Sequence, residues 1–163
     1  MGRKMCGKDA PMWILLTRWL MNNGYEKCQW CETTEGLTFD HIIPYSYSGK
    51  REQGNLAILC NPCNVRKDNN YYTLEPCPWP NPAFPQIKAE DLTVGVMTVY
   101  GKVTSVNRVT TNSGKTLINI DFEGDSILGT MRKREIQNIS REPNELIFLD
   151  PRSSDASTAK ECN

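Results

Sequence analysis

Residues 28–67 read CQWCETTEGLTFDHIIPYSYSGKREQGNLAILCNPCNVRK. Cys28 and Cys31 make one C-x-x-C pair, Cys60 and Cys63 a second, and each pair can grip one side of an ion from a tight turn. Four soft thiolates within tetrahedral reach favour zinc. Disulfides or ordinary buried thiols account poorly for two such pairs. Paired knuckles are usually separated by roughly 15 to 20 residues. The insert here is longer, so a structured excursion is expected between the pairs.

That excursion carries hard, polar groups. LTFDHII is rich in β-branched and apolar residues and reads as a strand, with NLAIL as its returning partner. Residues 45–54 form the loop between them, with Gly49 and Gly54 as turn formers. NVRKDNN can start a helix, which places Asn64 and Lys67 one turn apart on one face. Strand, loop, strand and helix above a zinc clamp make a ββα-metal unit.

DHIIP followed by N-L-x-x-L-C-x-x-C-N-x-x-K resembles the HNH nuclease family, with Asn64 standing where the name has its last histidine. The resemblance covers about forty residues. It implies a metal-dependent endonuclease that hydrolyses phosphodiester bonds in DNA and leaves 5′-phosphate and 3′-hydroxyl ends. Such hydrolysis needs a base for water, a cation for the phosphate and leaving oxygen, and a rigid frame. His41 is the only histidine in the chain, and an ordinary pKa of about 6.5 suits a general base. By resemblance it deprotonates the attacking water. Asp40 and Asn64 offer hard oxygens suited to Mg2+ or Mn2+, and like their family counterparts they would bind one catalytic ion. Asn55 matches the middle asparagine, which in the family orients the base and braces the loop. Because Asn64 directly follows Cys63, zinc would fix the start of the helix that carries a catalytic ligand.

Other residues bear on DNA contact. Tyr45, Tyr47, Lys50 and Arg51 mix aromatic and basic groups beside the histidine, and Arg66 and Lys67 sit near a helix start. Cations there would neutralise backbone phosphates without selecting sequence. The tyrosines could touch bases or shield the hairpin.

Lysine plus arginine balance aspartate plus glutamate at 19 each, so overall charge points to no partner. Residues 1–70 carry nine basic and seven acidic side chains, a slight excess that ordinary solvated faces also show. No secretory signal or spanning segment is expected, because the apolar run after the basic start is short and broken by Arg18. With four of seven cysteines in metal spacing, a reducing, cytoplasmic setting is expected, with Cys6, Cys77 and Cys162 as free thiols.

Working outward, Asp9, Pro11 and Gly24 bound a helix over 10–23, with Trp13, Ile14, Leu16 and Leu20 as an apolar stripe and Arg18 off it. PCPWPNPAFP at 76–85 resists both helix and sheet, and Trp79 and Phe84 suggest that it is strapped to a surface. Beyond it, VGVMTVYGKVTSVNRVTT and KTLINIDFEGD alternate as strands and SILGTMR reads as a third. Short strands with glycine turns argue for a small closed or half-closed antiparallel β-barrel. The bend at Gly101 resembles the start of an OB-fold, with Lys102, Arg108, Lys115 and Arg132 to Arg134 as charge for nucleic acid. The tail from 151 is polar and expected to be disordered at its end.

The fold class expected is α+β: an HNH module with an N-terminal helix over 1–75, a proline-rich linker over 76–88, a small β-barrel over 89–150 and a polar tail over 151–163. The expected activity is nicking, restriction-type or homing-type DNA cleavage. One site per chain cuts one strand, so double-strand cleavage would need a homodimer or two events. The rivals are a nuclease selective for branched or single-stranded DNA and a non-catalytic zinc module that binds DNA.

Overall fold

An apolar run flanked by Pro11 and Gly24 folds as α1 (Met12–Asn22) in the computed structural model, which describes residues 10–47, 49–68 and 74–153. Of the leftover thiols, Cys77 is free and buried, while Cys6 and Cys162 lie outside the described residues, as does the end of the tail. Burial extends around most of the helix, since Leu15, Thr17, Trp19 and Met21 are covered as well as Ile14, Leu16 and Leu20. Among the described residues the chain divides into two compact units, Leu16–Pro82 and residues 10–15 with 83–153.

In the first unit, β1 (Leu37–His41) pairs antiparallel with β2 (Leu56–Cys60), which runs directly into α2 (Asn61–Lys67). β2 is buried at every position, so both of its faces are covered. Cys60 ends the strand and is the N-cap of the helix, and a proline at the helix start suits a position whose N–H has no helical partner. Cys28, Ala57, Leu59, Cys60, Cys63 and Leu74 form one apolar cluster, with Trp30, Leu37 and Ile42 packed against it. The proline-rich segment is tied here too, since the Cys77 N–H donates to the Leu56 carbonyl at 2.8 Å.

The second unit is built on a four-stranded antiparallel sheet in the order β4 (Met97–Thr98), β5 (Gly101–Thr110), β6 (Thr116–Glu123), β7 (Asn138–Arg141). β3 (Gln86–Lys88) pairs with β8 (Leu146–Phe148), and a bridge from Thr98 to Leu149 joins this ribbon to β4. The sheet curls into a half-barrel and stays open, because no ladder among the described residues joins β7 to β3. Ile118, Ile120 and Phe122 alternate inward along β6 as the period of two requires. The bend in β5 comes from a register shift between Val103 and Ser105 and from Gly101 at φ 133, where an added Cβ would lie 3.0 Å from the Glu123 carbonyl oxygen.

One segment departs from expectation. SILGTMR is not a strand; it forms α3 (Ile127–Arg132), because the Ser126 side chain caps it by accepting from the Gly129 N–H at 2.8 Å. The remaining strand of the sheet is instead β7, further along the chain. Phe84 is buried and meets Phe148 with ring centroids 6.0 Å apart.

Truncating Ile120 removes a side chain that is wholly buried. Ile120→Ala is expected to cost about 2–5 kcal/mol, seen as an earlier urea midpoint, whereas Thr104→Ala on the exposed side of β5 should stay within about 0.5 kcal/mol.

Candidate metal centre and active site

Two turns deliver the thiols. In the first, the Cys28 N–H donates to the Thr33 carbonyl at 2.8 Å and the Glu32 N–H to the Cys28 carbonyl at 3.0 Å. The second is the junction of β2 and α2. A bond of 3.1 Å from the Gln29 N–H to the Ile58 carbonyl ties the first turn to β2. The result is a cluster whose four sulfurs all lie within 4.8 Å of one another, Cys31 and Cys60 at 3.5 Å. Tetrahedral zinc with Zn–S bonds near 2.3 Å needs sulfur separations of roughly 3.8 Å, so the donor set fits that ion.

The thiols also need a cation electrically. Burial works against ionising Cys28, yet the backbone N–H groups of Cys31, Cys60 and Trp30 outweigh it and pull the thiol down to about 6. Burial and the neighbouring sulfurs of Cys60, Cys28 and Cys31 push Cys63 up to about 12. Crowded thiols resist a second charge until a metal supplies the opposite one.

From this base β1 carries Asp40 opposite Ala57 and His41 opposite Leu56 at its far end. The pairing continues one step, as the Ile42 N–H donates to the Asn55 carbonyl at 2.9 Å. The buried Asn55 side chain then closes the loop: its Oδ1 accepts from the Ile43 N–H at 2.7 Å, and its Nδ2 donates to the carbonyls of Ile43 at 3.2 Å and Lys50 at 2.8 Å. Gly49 lies so close to this loop that an added Cβ would sit 1.8 Å from the Ile43 carbonyl oxygen. Asn64 is half-buried, in the helix that follows Cys63.

The family model described as HNH, HNH endonuclease, matches residues 28–70. This segment is an HNH domain. No curated protein and no solved structure gives a significant match to the chain. No helix among the described residues is long and apolar enough to cross a membrane.

Within the HNH domain, His41 is half-buried, with its ring 6.4 Å from that of Tyr45 at 71°. Its pKa lies below the usual histidine value, first because burial disfavours the imidazolium, then because the charge of Arg51 adds to that, with Asp40 opposing and Lys67 adding a little. Tyr45 and Tyr47 stand 74% and 65% exposed on one 3-10 turn, and Lys50 and Arg51 are exposed beside them.

Lys67 is buried, away from the phosphate contact expected of it, whereas Arg66 is exposed. The Arg66 guanidinium donates to Cys63 Sγ at 3.5 Å and lies 5.7 Å from the centre of the Trp30 ring, engaged with the cysteine cluster. Lys67 is 1% exposed, and its ammonium is 2.8 Å from Asp40 Oδ2 and 3.2 Å from the His41 carbonyl oxygen. Breaking a buried ion pair of this kind costs roughly 3–5 kcal/mol. The burial follows from the helix geometry: one turn after Asn64, Lys67 lies on the same side of α2. Arg18, off the predicted stripe, lies 6.0 Å from the centre of the Phe39 ring.

Two measurements follow from this arrangement. Elemental analysis should find one zinc per chain, and Cys63→Ser should lose the metal together with the ordered HNH signals in NMR spectra. The ring signals of the single histidine should titrate with a midpoint below about 6.5, and Arg51→Gln should move that midpoint upward by removing a nearby positive charge.

Proposed function

We propose that the chain is a zinc-stabilised nuclease that hydrolyses phosphodiester bonds in DNA. The observation that carries this reading is the junction of one histidine and one carboxylate at the end of β1 with a helix rooted in the cysteine cluster. His41, neutral at ordinary pH, takes a proton from the attacking water. Asp40 and Asn64 would hold Mg2+ or Mn2+. The structure supports Asp40 in that role, because its buried Oδ2 makes no directed hydrogen bond and already lies beside a positive charge. A bound ion there would supply charge to the phosphate and to the leaving oxygen. Asn55 keeps the histidine's loop in one conformation. Lys50 and Arg51 neutralise backbone phosphates on either side of the cut.

In this reading the products carry 5′-phosphate and 3′-hydroxyl ends, and one chain makes one nick. Cleavage of both strands takes a homodimer or a second event. A preference for branched or single-stranded DNA is favoured by the two exposed tyrosines beside His41, since unpaired bases offer open faces for stacking. An OB-like role for the half-barrel would add a second surface for DNA, although Arg108 and Lys115 already meet Glu90 and Glu142.

Purified protein incubated with supercoiled plasmid and Mg2+ or Mn2+ should nick it. His41→Ala should slow nicking by at least about 100-fold with zinc content unchanged. DNA binding without cleavage across several divalent metals would overturn the proposal in favour of a zinc module that only binds.

A further inference from the structure

A lysine buried to 1% exposure must have its charge met, because an unpaired ammonium away from water is strongly disfavoured. Lys67 meets it on two consecutive residues of β1, the carboxylate of Asp40 at 2.8 Å and the carbonyl of His41 at 3.2 Å. The contact with Asp40 Oδ2 is one of charge, since that buried oxygen takes no directed hydrogen bond. The end of β1 is therefore already a seat for a cation, and the chain supplies its own.

We propose that Lys67 is a built-in counter-ion that competes with the catalytic divalent ion for the Asp40 carboxylate and so sets how tightly the site takes that ion. The inference rests on the reading of Asp40 as a ligand. Without a divalent ion, the ammonium keeps the carboxylate paired and the end of β1 joined to the end of α2. With an ion on the same carboxylate, two positive charges become near neighbours in a poorly solvated place and repel. The ion's hold is weaker than a bare carboxylate would give, and a DNA phosphate arriving at the site restores negative charge. Divalent ion and DNA therefore bind each other's complex more tightly than either binds the protein alone. Lys67 acts through Asp40 and is a positioning residue.

The test is calorimetric titration of Mn2+ into the zinc-loaded full chain, comparing wild type, Lys67→Met and Asp40→Asn. Lys67→Met should bind Mn2+ about tenfold more tightly or better, while melting at a lower temperature in its absence, and the melting gap should close as Mn2+ is added. Equal or weaker Mn2+ binding by folded Lys67→Met would overturn the inference and leave Lys67 as a structural pin. The Asp40→Asn arm separates the two readings: if it binds Mn2+ as wild type does, the assignment of Asp40 as ligand falls, whatever Lys67 does. Should Lys67→Met fail to fold, the Nζ resonance of Lys67 in the wild type decides. It should move in step with Mg2+ saturation, and a resonance unmoved at saturation would overturn the inference.

Discussion

Four sulfurs converging on one point are the constraint from which the HNH domain follows. The seven-residue helix α2 is too short to persist alone, and the two-stranded sheet beside it is marginal by itself. Each becomes fixed because Cys60 ends the strand and Cys63 lies in the first turn of the helix, while Cys28 and Cys31 reach across from the preceding turn. A domain with little apolar area to bury gains a centre in this way. The groups that could do chemistry then inherit their positions: Asn64 follows a sulfur directly, and Asp40 and His41 end the strand paired to the one that carries another.

The local electrostatics have a consistent logic. The imidazole of His41 is biased toward its uncharged form by burial and by a neighbouring guanidinium, whereas the carboxylate one residue earlier is kept company by an ammonium. Adjacent residues on one strand thus have opposite needs met by cations drawn from different places, Arg51 from the loop and Lys67 from the helix. Divergent environments for neighbouring titratable groups are characteristic of functional sites. The second guanidinium, Arg66, serves the sulfur cluster and not the carboxylate.

Much of this could be read from residue order. The paired C-x-x-C spacing, the apolar and β-branched residues of LTFDHII and NLAIL, and the NVRK run after Cys63 each act over a few residues, and hairpin, helix and cysteine cluster all follow from such local signals. Destinations of long side chains could not be read. Lys67 looks like any surface lysine, and only the packing of α2 against β1 turns it inward; its place one turn after Asn64 was the available hint. The contacts of Arg66 were hidden for the same reason, with Trp30 on a distant turn as its platform. In the second unit the short apolar run at ILGTM has no period long enough to separate strand from helix, and the serine before it decided the matter. Closure of the barrel was equally beyond local reading, since it depends on strands of two or three residues finding partners far along the chain.

The way Asn55 ties the loop has an evolutionary corollary. Most of the stitching comes from the Asn55 side chain, which reaches back to the N–H and carbonyl of Ile43 and the carbonyl of Lys50, so apart from Gly49, where no Cβ fits, little of it is tied to the side chains at 45 and 47. The stretch holding Tyr45 and Tyr47 can accordingly be rewritten by substitution while the imidazole stays where it is. A scaffold of that kind lets descendants of one fold diverge in the surface they present without having to rebuild the hairpin beneath it.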